Sequence, residues 1–196
     1  VKNRFRRLRE VAQEAEQLEA VIDMISRIAR GLGIVALSLT ATHAMAQEST
    51  NRVAANTDWS VFVDGDPKEC WSVSKPKQTV NTKDGRSVAV RRGDILLFVS
   101  YRDGSSTGEV SFTGGYPFAN GSTVKLTVGS DTYDLFTDGE WAWSKDPQAD
   151  ATIIAAMKGG ANAVLVGNSS RGTRTEDTFS LMGFTAAVED AGTRCK

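Results

Sequence analysis

Between residues 59 and 181, short runs of β-branched and aromatic residues alternate with pairs of Gly, Asp and Asn, a spacing that specifies an all-β domain. The runs predict strands over 59–63, 70–74, 87–91, 95–101, 109–114, 123–128, 133–137, 163–167 and 175–181. Between them stand Asp64-Gly65, Asp84-Gly85, Gly93-Asp94, Asn120-Gly121 and Asp138-Gly139, all pairs that tolerate positive φ. One segment departs from the pattern. Asp146 is placed to cap a helix, Pro147 suits its first turn, and ADATIIAAMK runs on to Gly159-Gly160, which can close it. A second short helix is expected over 184–191. So many strands bury their apolar faces only against one another, so the expected architecture is a two-sheet antiparallel β-sandwich with two short peripheral helices.

The domain expected to fold in this way is residues 58–196, preceded by a polar, flexible lead-in over 47–57. Upstream lies an export signal. Arg27 and Arg30 make a basic region, GLGIVALSLT over 31–40 an apolar one, and Ala44-Met45-Ala46 a small-x-small cleavage site before Gln47. The apolar run is shorter than the roughly 18–20 residues a membrane span needs, so 24–46 reads as a cleaved signal peptide and no integral span is expected afterwards. Residues 1–23 are far longer than an ordinary n-region. Leu8, Val11, Ala15, Leu18, Ile22 and Ile25 fall at helical spacing there, and a start site placed too early is the simplest account, with an extended n-region the alternative.

Export bounds the chemistry. Cleavage removes His43, the chain's one histidine, and with it Ser-His-Asp, Cys-His and His-metal chemistry. From Gln47 onward 16 Lys and Arg stand against 19 Asp and Glu, a net charge of −3, so no basic stripe remains for nucleic acid. Cys70 and Cys195 are an even pair in an exported chain, which favours a disulfide over a metal or redox role. No cofactor is indicated.

Several short patterns invite functional readings. Gly104 to Gly108 spells G-x-S-x-G, but a nucleophile elbow needs a strand before it, a helix after it and a histidine base, so a hairpin loop is expected. Ser122 and Lys125 have the spacing of a serine–lysine pair on a helix, yet an offset of three in a strand sends them to opposite faces. Arg92-Gly93-Asp94 is the integrin-binding tripeptide and also ordinary turn chemistry, here expected at a hairpin tip. DGDPKE over 64–69 resembles the start of a calcium loop, but Lys68 occupies a ligand position, leaving a charged turn. The best candidate ligand surface combines Asp138 and Glu140 with Trp141 and Trp143, two indoles at period two on one strand face. The two carboxylates could serve as a glycosidase acid and base, and the indoles could stack on sugar rings. The competing expectation is that Trp141 and Trp143 are core or pack on the disulfide, as large aromatics usually do.

DWSVF at 58–62, Cys70-Trp71, VSFTGGYPF at 110–118 and FSLMGFTAAVEDAGTRC at 179–195 together resemble the invasion-associated locus B family of alphaproteobacterial exported proteins. The resemblance covers nearly all of the domain. It implies a periplasmic or envelope-associated β-sandwich with Cys70 and Cys195 paired, typified by a member that helps an intracellular pathogen enter red blood cells. No catalytic residues come with it. The expected function is therefore a non-enzymatic binding or interaction module with an envelope protein or glycan as partner, with a role at a host cell surface implied by the resemblance. The alternative is a carboxylate-dependent hydrolase acting on envelope glycan.

Overall fold

Period-two alternation decides which face of each strand turns inward. In the computed structural model, which describes residues 51–105 and 107–196, Cys70, Ser72 and Ser74 are buried on one strand, Leu97, Val99 and Tyr101 on another, and Val124, Leu126 and Val128 on a third. The strands in chain order are β1 (Arg52–Asn56), β2 (Trp59–Asp64), β3 (Glu69–Ser74), β4 (Gln78–Lys83), β5 (Arg86–Ser87) and β6 (Leu96–Arg102). They continue with β7 (Glu109–Thr113), β8 (Thr123–Val128), β9 (Asp131–Asp138), β10 (Trp141–Trp143), β11 (Asn162–Asn168) and β12 (Arg174–Ser180). Helix α1 (Pro147–Gly159) separates β10 from β11, and α2 (Phe184–Arg194) follows β12. The signal peptide, the Ala46/Gln47 junction, the upstream heptad pattern and Ser106 of the G-x-S-x-G pattern lie outside the described residues.

The all-β class with two short helices is as expected. The two layers, however, are halves of a single antiparallel ladder in the order β1-β2-β3-β6-β7-β10-β9-β8-β11-β12-β4-β5. In a flat sheet β2 and β12, eight places apart in that order, would be separated by about 38 Å at roughly 4.8 Å per strand. Instead the Trp59 indole N–H of β2 donates to the Ser180 carbonyl of β12 at 2.9 Å, and Phe112 of β7 meets Phe179 of β12 edge-on at 6.1 Å. The ladder therefore rolls back on itself around one core. Helix α2 lies across the inner faces of β2 and β3, with Phe184 against Trp59 at 4.8 Å.

Local chemistry explains the helix ends. The Asp146 carboxylate accepts the Ala149 N–H at 2.8 Å, Pro147 opens α1, and the Gly160 N–H closes it on Met157. Helix α2 starts from Gly183 at φ +86°, a conformation that favours glycine, and runs three residues beyond the expected 191. The Cys70–Cys195 disulfide forms, with a Cα separation of 5.7 Å, and ties the end of α2 to β3.

Three expectations are corrected. The lead-in over 47–57 contains β1, which pairs antiparallel with β2 through backbone bonds that its short Ala-rich side chains do not advertise. The strand expected at 87–91 is reduced to β5, because β5 ends the ladder whereas β6 is fourth in it. The connecting residues 88–95 must cross between them and form an irregular strap. Consequently Arg92-Gly93-Asp94 is not a hairpin tip. The Arg92 side chain is only 6% exposed, and the Gly93 N–H is bonded to the Gly115 carbonyl at 2.9 Å.

Candidate functional site

Strand β10 is three residues long and turns only Ala142 to the core. Trp141 and Trp143 therefore point outward, and Trp141 is 39% exposed, so neither indole is core and neither packs on the disulfide. The register explains what surrounds them. Ser60, Val73, Phe98, Ser111, Trp143, Phe136 and Thr123 are successive Cα partners across seven strands and share the outer face. Trp143 stacks on Phe136 at 5.5 Å and on Trp141 at 6.3 Å, and Trp141 meets Phe98 at 5.8 Å. The result is an aromatic shelf over β6, β7, β10 and β9, under which Ser111 and Thr113 are nearly excluded from solvent. Phe62 and Trp71 stack at 5.6 Å on the neighbouring pair of strands.

The two candidate carboxylates separate. Asp138 is the cross-strand partner of Trp141 and edges the shelf. Glu140 lies in the β9–β10 turn and lines a different feature, a cavity of about 480 Å³ that Asp138 does not line. Both are exposed. The structure thus does not bring Asp138 and Glu140 together as a pair in one cleft.

The cavity is bounded by the strap at 90–92, the turn at 115–117, the loop at 169–173 and Thr175 of β12. Its inner wall is fixed by Arg92. The guanidinium donates to both carboxylate oxygens of Asp177, at 2.7 and 2.6 Å, to the Gly114 carbonyl at 2.8 Å and to the Asn81 side chain at 3.3 Å. It also sits 5.0 Å from the Tyr116 ring centroid. Asp177 is fully buried on the inward face of β12. Burial pushes its carboxyl up from the usual range, and the Arg92 hydrogen bonds oppose that shift. The Tyr116 and Thr175 hydroxyls are 2.5 Å apart, and burial raises the Tyr116 phenol. Gly115, at φ +70°, has no room for a side chain, because a Cβ there would run into the Gly93 backbone.

In the sequence Arg92-Gly93-Asp94 has the chemistry of a turn, which hides the place of Arg92 at this cavity. A signal was present, since TEDTF over 175–179 places Asp177 on the same strand face as Phe179, where a carboxylate needs a cation. The remaining patterns resolve into local structure. Lys125 pairs with Asp134 at 2.6 Å rather than with Ser122, and Asp64 accepts the Gly65 N–H at 2.8 Å as a turn residue does. Among the described residues no cluster of three or more acidic, Cys or His side chains is arranged to hold a metal, and no helix is long and apolar enough to cross a membrane.

Among curated proteins none matches the chain. Among solved structures it is similar to invasion associated protein B from Bartonella henselae, with a TM-score of 0.51 at 16% identity over 72% of this chain and 96% of that one. That likeness carries the fold. The family model for the invasion associated locus B protein matches residues 59–192, well over half of the sequence. This chain belongs to the invasion associated locus B family.

Proposed function

We propose that this is an exported, envelope-associated binding protein without catalytic activity, whose outer aromatic shelf receives a glycan of the envelope or of a host cell surface. The observation that carries the reading is the solvent-facing stack of Phe136, Trp143 and Trp141 with Asp138 at its edge. Flat rings offer sugar C–H faces an apolar platform, and a carboxylate at the margin accepts sugar hydroxyls. Large aromatics grouped on an outer sheet face are an unusual use of surface unless something lies on them. Export is supported by the signal-peptide pattern over 24–46 and by the disulfide, which suits an oxidising compartment.

The test is retention of the purified protein on immobilised envelope polysaccharide and on red-cell surface glycan. Trp141→Ala should weaken retention by about tenfold or more, the scale of an exposed aromatic anchor, while leaving the denaturation midpoint nearly unchanged. Retention that ignores Trp141 would remove the shelf from the function. Release of new reducing ends from the polysaccharide would replace the binder with a hydrolase.

A further inference from the structure

The cavity behind the strap is built differently from the shelf. Its inner wall is polar but electrically closed, since the Arg92 charge is consumed by Asp177 and the guanidinium is locked by four hydrogen bonds. Its rim is not closed. Arg91 on the strap and Arg171 in the loop after β11 are both exposed, and neither side chain has a hydrogen-bond or ion-pair partner among the described residues. The one acidic residue lining the cavity is Glu140. A domain that carries a net charge of −3 from Gln47 onward therefore presents a local excess of positive charge at this concavity.

The rest of the lining narrows the ligand. Pro117 and Val90 contribute apolar surface, and the hydroxyls of Ser170 and Thr173 are without partners among the described residues. A volume of about 480 Å³ suits a small molecule rather than a chain of residues. Two guanidinium forks match a planar carboxylate, the free hydroxyls match a polyhydroxylated body, and the apolar side matches the C–H face of a ring. The wall is pre-shaped. The tight Gly93–Gly115 approach and the Tyr116–Thr175 contact hold it in place, so little ordering would be needed on binding.

We infer that this cavity is a site for a small acidic sugar, a hexuronate, whose carboxylate is taken by Arg91 and Arg171. The site is separate from the aromatic shelf, and its occupancy does not depend on the shelf binding anything.

Isothermal titration of the full exported protein with glucuronate, glucose and inorganic phosphate tests the inference. Glucuronate should bind, with affinity that falls as salt is raised, and glucose should not bind. Arg91→Ala and Arg171→Ala should each weaken glucuronate binding by about tenfold or more, and the double variant should abolish it. Glu140→Gln should strengthen binding by removing a like charge. Lys125→Ala, which deletes an equal charge on the outer face at a residue paired with Asp134, should change nothing. Because Arg91 and Arg171 are exposed and unpartnered, their variants should keep the wild-type denaturation midpoint, which separates a lost site from a lost fold. Absence of glucuronate binding, equal binding of glucose, or binding indifferent to both arginines would overturn the inference. Phosphate binding without glucuronate binding would overturn the carboxylate assignment.

Discussion

Arg92 and Asp177 join parts of the chain 85 residues apart, and the pair is worth most when considered through its failure. Arg92→Ala would leave the Asp177 carboxylate fully buried with its principal donor gone, a situation that typically costs about 3–5 kcal/mol. Arg92→Lys should recover only part of that loss, since an ammonium cannot supply two parallel bonds to the carboxylate and a third to the Gly114 carbonyl. The pH dependence has a defined sign. Burial already raises the Asp177 carboxyl and Arg92 opposes it, so removing Arg92 raises it further. A carboxyl whose folded-state value lies above its unfolded one destabilises as pH rises from the unfolded value through the folded one, so the Arg92→Ala deficit should be full above the folded-state value and shrink as pH falls through it toward the ordinary carboxylate range. Urea denaturation at several pH values measures this, and a loss below about 1 kcal/mol at neutral pH would show that Asp177 finds another partner. At this scale the sequence was partly legible. Period two correctly put Trp141 and Trp143 on one face, but periodicity does not say which face is inside. That is decided by Ala142, the one β10 side chain that fits inward.

Among the elements, α2 depends most on a single backbone position. Gly183 sets its entry at φ +86°, and a Cβ there would collide with the Asn56 carbonyl of β1. Gly183→Ala should therefore destabilise by more than about 1 kcal/mol, since strain and collision add, and should loosen β1 together with α2. Hydrogen exchange provides the check: faster exchange confined to β1 and α2 is expected, and an unchanged pattern would show that the turn relaxes freely. Elements with strong local chemistry were readable in advance, including α1 with Asp146, Pro147 and Gly160, and the strands of alternating apolar residues. Elements whose existence depends on a distant partner were not. Strand β4, QTVNTK, has little apolar content and is held by β12 and by Asn81 on Arg92. The strap at 88–95 looks β-branched at its start, but ladder order requires it to cross between distant strands. Local propensity carries no information about that order.

For the molecule as a whole, a sheet that rolls back on itself leaves the inner faces of β2 and β3 to be covered by α2, which comes at the end of the described chain. Phe184, Ala187, Val188 and Ala191 supply that cover, and all are essentially buried. The Cys70–Cys195 bond fastens the far end of α2 to β3, one of the strands it covers. The bridge spans a sequence separation of 125, so most of the domain lies within the loop it closes. Loop-closure entropy for that length corresponds to about 4–5 kcal/mol, and loss of comparable native bridges costs about 2–5 kcal/mol. The double variant Cys70→Ser/Cys195→Ser should fall in that range by urea denaturation, and reductant should shift the wild-type midpoint toward it while leaving the variant unmoved. Denatured, unreduced wild-type protein should yield no reactive thiol. Two thiols, or a double variant as stable as the wild type, would mean that α2 is held by packing alone, and Trp59–Phe184 would then be the contact whose removal unseats it.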